Sequence, residues 1–371
     1  MSIVDMPWKL TFLASLVLAS VGCSASAGST PGAGGNNAGA GGSTGTSGSG
    51  GSAGNDNLGG AAGNGGNVSG DYSPVSATSS DSQQYTLQMG PIKLVIDGAK
   101  GARITEFSYN GSNIFTGPDI NAINYGSTFW PSPQSSWYAS NTWPPIAALD
   151  TDAYTGAIDS ANNSIKLSSG TATLGKTANS QFTVTKQFTP VPASGAIDIT
   201  YTITNVSSSV TITVAPWEVS RVKRTGGMTF FGKGTNSPTF TSGTDTANFV
   251  VTEANGILWY KHAPVTANSK CFSDGVGWIA HVTAGNILFL LTYPDIDPSQ
   301  AASGEAEVEL YTGKTDGDYV EIEPQGASTA IAPGDKLEWT VRWKLRQVPS
   351  GTTVDVGSAD LATFTAQQKS Q

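Results

Sequence analysis

Glu305, Glu307 and Glu309 occupy every second position in "GEAEVELYTGKTDGD", and Glu321 and Glu323 do the same in "YVEIEPQG". Alternation by two places side chains on one face of a β-strand. Each segment therefore joins an acidic front to an apolar back: Val308 and Leu310 in one, Val320, Ile322 and Pro324 in the other. With the Gly/Asp-rich stretch between them read as a hairpin loop centred near Thr315, Glu309 falls opposite Glu321 and Glu307 opposite Glu323. Tyr311 and Tyr319 close the ladder. Like charges directly opposite destabilise a sheet. Two readings are open: a solvated face with salt bridges to bases such as Arg342 or Lys344, or a site. In the second, the carboxyls hold pKa values pushed apart, or bind a polyhydroxylated or cationic ligand.

Two further segments carry candidate chemistry. "NYGSTFWPSPQSSWYASNTWPP" interleaves Tyr125, Phe129, Trp130, Trp137, Tyr138 and Trp143 with Asn124, Gln134 and Asn141. Aromatic faces stack on the C–H faces of sugar rings, while amides and indole N–H groups bond hydroxyls. The prolines stiffen the loop and lower the entropy cost of binding. The plain alternative is that individual rings cap the end of a core. In "TVAPWEVSR", Trp217 stands beside Glu218, with Arg221 beyond; Glu218 and Arg221 form a structural ion pair or line a pocket.

Other chemistries lack their residues. There is no Gly-x-Ser-x-Gly elbow, phosphate loop, Cys-x-x-Cys pair or His-Glu-x-x-His. His262 and His281 are the only histidines, which excludes a His-rich metal site; no metal or cofactor is expected. His281 lies on the strand face opposite Trp278 and Ala280, structural or turned to a cleft. "YPDIDPSQ" and "DTDAY" read as turns, lacking the spacing of a calcium loop. A net charge of −9 without a Lys/Arg run argues against nucleic acid as a partner.

These residues need strands to hold them. In "DITYTIT", Ile199, Tyr201 and Ile203 face one way; in "KLEWTVRWKLRQV", Leu337, Trp339, Val341, Trp343 and Leu345 do. "EFSYNGSNIF" contains the Asn-Gly of a tight hairpin. "NILFLLTYP" is almost continuously apolar, the pattern of a strand covered on both faces. With no repeat and no convincing amphipathic helix, residues 76–350 read as one all-β domain, a large antiparallel β-sandwich expected to be monomeric. Residues 351–371 form a tail, a short helix or frayed.

The N-terminal residues 1–22 read as an export signal: Lys9 precedes the apolar run "LTFLASLVLASV". Cys23 in "ASVGC" fits a bacterial lipoprotein processing site, so the expected membrane contact is a lipid on Cys23, and the expected location the cell envelope, periplasmic or at the outer-membrane surface. Residues 23–75, mostly Gly, Ser, Ala, Asn and Thr, read as a disordered tether. Such a chain has an end-to-end distance of roughly 40 Å. Cys271 reads as a packed or idle thiol.

In order along the chain, "VIDGAKGARITEFSYNGSNIF", the Trp-Pro loop, "YTITNVSSSVTITVAPWEVSR", "KCFSDGVGWIAHV", "VELYTG", "YVEIEPQG" and "IAPGDKLEWTVRW" resemble the galactose-mutarotase-like superfamily, and most closely an uncharacterised bacterial branch of it. The resemblance spans about residues 84–346. It implies a large twisted β-sandwich with a carbohydrate site on its concave face. Glu323 matches the general base of the sugar mutarotases. The mutarotase histidines have no counterpart: "VAPWEV" stands where one is expected. Ring opening needs an acid as well as a base; Glu218 with a raised pKa is the substitute acid considered, and Arg221 an oxyanion stabiliser. The substrate-facing set implied is Asn124, Tyr125, Trp130, Gln134, Trp137, Trp143, Trp217, Arg221, Lys270, Glu309 and Glu321, with Glu323 and Glu218 as catalytic candidates. Carbohydrate binding without catalysis leads; a sugar epimerase or other carbohydrate-active enzyme, and a structural envelope protein, are the alternatives.

Overall fold

The computed structural model describes residues 72–371. The export signal, Cys23 and nearly all of the tether lie outside the described residues.

The alternating segments assemble as two antiparallel sheets of 12 and 10 strands among the described residues. The centre of the larger sheet runs Arg103–Tyr109, Ser127–Ser132, Ile212–Lys223, Tyr319–Pro324, Val308–Thr312, Ser269–Ser273. In the smaller sheet, Ile287–Thr292, Lys336–Gln347, Ala196–Asn205 and Phe182–Val191 are neighbours in that order. Apolar residues from both sheets form the main core: Phe107, Phe129, Val222, Val320 and Ile322 from one, and Ile199, Tyr201, Phe289, Val341 and Trp343 from the other. The Ile199/Tyr201/Ile203 and Trp339/Val341/Trp343 rows lie on the core side, as their alternation predicts. Asn110 and Gly111 both have positive φ, at 49° and 80°, in the two-residue turn that pairs Tyr109 with Ser112. That conformation is why Asn-Gly is favoured there.

Ile287–Thr292 is covered on both faces. Phe289 and Leu291 enter the main core, while Leu288 and Leu290 join a second cluster with Trp259, Trp278 and Leu361. Leu361 belongs to an α-helix, Ala359–Lys369, N-capped by the Ser358 hydroxyl accepting from the Leu361 N–H. The C-terminal segment is therefore a helix packed on the outside of the smaller sheet. His281 is fully buried, on the strand face opposite Trp278 and Ala280, and its ring stacks on His262 at 5.3 Å. Thr229 Oγ1 lies 2.9 Å from His262 Nε2 and 3.3 Å from His281 Nδ1. Neither histidine faces the acidic strands.

Candidate functional site

The outer face of the larger sheet gathers most of the residues singled out above. Arg221 pairs with Glu321, Glu321 with Tyr311 and Tyr311 with Lys270 across four adjacent strands. The next row joins Glu323, Glu309 and Phe272, and beyond it Trp130, Trp217 and Gln325 are cross-strand partners. The core side of the same strands carries Val222, Val320, Ile322, Val308 and Leu310. The acidic front and apolar back are thus as the alternation predicts.

The register differs from the expected one. Glu309 faces Glu323, not Glu321, and Tyr311 faces Glu321; Glu307 is drawn level with Gln325, whose N–H donates to the Glu307 carbonyl at 2.8 Å. The pairing is thus shifted by two residues from the expected one. On its other edge, Tyr319 pairs with Lys223 and Asp318 is held by the Thr225 N–H and hydroxyl, at 3.0 and 2.8 Å, which fixes the start of the Tyr319–Pro324 strand to Ile212–Lys223. A slip of two preserves the faces; a slip of one would have inverted them.

The salt-bridging bases are also different from those expected. Arg342 pairs with Asp198, and Lys344 donates to the Gln368 carbonyl; both lie on the other sheet. On the acidic face, Lys270 Nζ lies 2.5 Å from Glu309 Oε2 and 3.2 Å from Glu323 Oε2. Arg221 Nε donates to Glu321 Oε1 at 2.8 Å, and its Nη1 to Thr128 Oγ1 at 2.9 Å. Trp217 Nε1 donates to Glu323 Oε2 at 3.1 Å. Gln325 Nε2 donates to Glu309 Oε1. Burial pushes the Glu323 carboxyl up and Lys270 pulls it back, to about 7. Glu309 rises to about 7 by burial, offset by Lys270, and Glu321 to about 7 by burial, offset by Arg221. Burial alone would lower the Lys270 ammonium, but Glu309, Glu323 and Glu305 hold it above the ordinary lysine range.

The Trp-Pro loop lies against this floor. Trp217 meets Trp130 at 5.6 Å and Trp137 at 6.0 Å between ring centroids, and Trp143 stands edge-on to Trp130 at 6.3 Å. The loop is pinned by Gln134, whose N–H donates to Glu305 Oε1 and whose Nε2 donates to the Thr142 carbonyl. Trp137 is buried, donating Nε1 to the Pro131 carbonyl, and Tyr125 lies under the Arg103 guanidinium. Asn124 is half-buried beside Tyr319. Arg221 lies over Trp130, whose Nε1 donates to Asp150, itself paired with Arg103 at 3.0 Å. Neither Arg103 nor Asp150 was singled out in the sequence. Being 47 residues apart, they leave no local signal of their pairing. Phe272 was also missed, although its position two beyond Lys270 places it on the same strand face.

Access is uneven. Trp143 is 42% exposed, and the Lys270 and Glu321 side chains are 19% and 13% exposed. Glu323, Glu309, Arg221, Trp130, Trp137 and Trp217 are buried.

Glu218 is not part of this face. Three positions from Arg221, an odd spacing on one strand, it points to the other side, into the sandwich. There it accepts from Tyr201 Oη at 2.7 Å and Trp343 Nε1 at 3.1 Å, both on the opposing sheet. The Glu218–Arg221 pair does not form, and Glu218 cannot serve as an acid to a ligand on the outer face.

The backbone arrangement matches solved structures. A galactose mutarotase-like protein from Lactobacillus casei aligns with a TM-score of 0.50 at 13% identity, over 71% of this chain and 100% of that one. The chain has the galactose-mutarotase-like fold. A galactose mutarotase related enzyme from Lactobacillus acidophilus aligns at 0.49 and 10% identity, over 73% of this chain and all of the other. A galactose mutarotase-like protein from Clostridium acetobutylicum gives 0.47 and 12%, over 74% and 98%. No family model and no curated protein matches the sequence. Within this mutarotase-like fold, the acidic strands and the Trp-Pro loop share one sheet face.

Burial raises the Glu218 carboxyl to about 8, against the pull of its Tyr201 and Trp343 hydrogen bonds. Between about pH 4.5 and 8 the folded chain then binds a proton at Glu218 that the unfolded chain has released, so its contribution to stability falls as pH rises. Urea unfolding at pH 5, 6, 7 and 8 should therefore show a shallower decline for Glu218→Gln than for the unsubstituted chain. Equal slopes would show that Glu218 is not the titrating group.

Proposed function

We propose that the protein binds carbohydrate on the outer face of the larger sheet, between the Trp-Pro loop and the Lys270–Glu321 floor. One observation carries the reading: Trp143, exposed, sits edge-on to buried Trp130 on the sheet face whose accessible groups are Lys270, Glu321 and Tyr311. An aromatic wall above hydroxyl-bonding groups is what a sugar requires, with its apolar C–H faces and polar rim. The fold shared with mutarotase-like proteins supports the same ligand class. Preorganisation adds to it, because buried Trp137 and Trp217, with half-buried Gln134, brace the loop before any ligand arrives.

In this reading Glu323 positions Lys270 and Trp217 and does not itself meet the ligand. Catalysis is the second reading, and a different observation favours it. Glu309 and Glu323 are cross-strand neighbours whose carboxyls are both lifted to about 7, so near neutral pH the pair can hold a proton and accept one. Glu309, not Glu218, is the acid in that version, and a substrate would have to open the contacts that bury the two groups.

The envelope location belongs to the same proposal. A lipid on Cys23 anchors the chain, and the Gly/Ser-rich tether holds the domain off the membrane surface.

Tryptophan emission titrated with a panel of neutral mono- and oligosaccharides should change saturably, and Trp143→Ala should weaken the best binder at least tenfold. An unchanged affinity in Trp143→Ala would remove the loop from the site. NMR exchange between anomers of glucose and galactose separates the two readings: binding alone leaves the exchange rate at its buffer value. Acceleration that disappears in both Glu323→Gln and Glu309→Gln establishes catalysis instead. Expressed in a bacterium, the chain should sediment with membranes and Cys23→Ser should release it; continued sedimentation of that variant would refute the anchor.

A further inference from the structure

A second recess adjoins the proposed site. It is a cavity of about 170 Å³, lined by Asn236, Thr239, Phe272, Pro298, Glu305 and Glu307. Phe272 is the cross-strand partner of Glu309, so its ring extends the same floor by one strand. Two residues join the recess to the first site. Lys270 Nζ lies 5.3 Å from the ring centroids of both Trp217 and Phe272. Glu305 lines the recess, yet accepts from the Gln134 N–H of the Trp-Pro loop. The two spaces therefore share a boundary made of Glu305, Lys270 and Glu309.

The walls also define what fits. Glu305 and Glu307 present carboxyls, with Asp274 beside them. Asp274 Oδ2 is taken by the Thr235 and Asn236 N–H groups, and the Glu307 oxygens by those of Gly275 and Gly277. These bonds hold the carboxyls in place. An anionic sugar entering would meet like charge on at least one side. A neutral ring would find one aromatic face, that of Phe272, and hydroxyl acceptors along the rim.

Resting on the carbohydrate-binding reading, the geometry points to a second sugar subsite in this recess, with Phe272 as its platform. The ligand class is then a neutral oligosaccharide of at least two units, running from the Trp143 wall past Glu305 to Phe272, and not a free monosaccharide. Linked rings gain from the second contact without a second association cost, so chain length converts into affinity.

Calorimetric titration of the full chain tests this with glucose, galactose, cellotriose, maltotriose, β-1,4-galactotriose and, as the anionic control, trigalacturonate. The expected result is that one neutral trisaccharide binds at least tenfold more tightly than its monomer, and trigalacturonate more weakly than any neutral trimer. Phe272→Ala should abolish the trimer's advantage over the monomer. Because Phe272 is half-buried, Thr239→Trp, an exposed substitution that fills the recess, serves as the second variant and should do the same. Equal binding of monomer and trimer, or a trimer advantage that survives both variants, overturns the subsite while leaving the first site intact. If no sugar of the set binds, the carbohydrate reading of the whole face fails, and the subsite fails with it.

Discussion

The outer face of the larger sheet depends on one half-buried ammonium, that of Lys270. Four carboxyls converge near it: Glu305, Glu309 and Glu323 lie about it directly, and Glu321 stands in the same cross-strand row, beyond Tyr311. Without a cation, cross-strand Glu309 and Glu323 would repel in a poorly solvated place, and one would have to stay protonated. Removing one partner from such a cluster costs several kcal/mol, on the order of 3–5, because the remaining charges stay buried. The Lys270 ammonium also lies over the rings of both Trp217 and Phe272. Arg221 does the same work one step along, tying Glu321 to Thr128 and covering Trp130.

From that constraint follows a surface that is rigid beneath and accessible above. The carboxyls nearest Lys270 are held by its ammonium, and the tryptophans beside them are fixed by Nε1 hydrogen bonds to Glu323, Asp150 and the Pro131 carbonyl. A ligand on this face would meet few mobile groups, so little ordering entropy stands against association.

Two buried glutamates on opposite sides of the same sheet show how position decides role. Glu323 faces outward among charged partners, whereas Glu218 faces inward among Tyr201, Trp343 and Phe129, whose ring stacks on Tyr201 at 4.0 Å. Glu218 is a polar tie between the sheets, satisfied by two donors from the opposing one. The fold thus places the chain neighbour of Trp217 on the side of the sheet away from the outer face.

Much of this could be read locally. The period of two assigned Val320 and Ile322 to the core and Glu321 and Glu323 to the outer face, named the core rows of Ala196–Asn205 and Lys336–Gln347, and placed the turn at Asn110-Gly111, because each depends only on the geometry of one strand or one turn. The same alternation already separated Glu218 from Arg221, an inference available from their odd spacing. What required the folded chain was everything set between segments: the two-residue shift that puts Glu309 opposite Glu323, the arrival of Lys270 between them, the Arg103–Asp150 pair, and the recess at Phe272. The cations were chosen by which strands became neighbours. A side chain's face is a property of its own strand, but its partner is a property of packing, and only the tertiary structure brings distant strands close enough for those energies to exist.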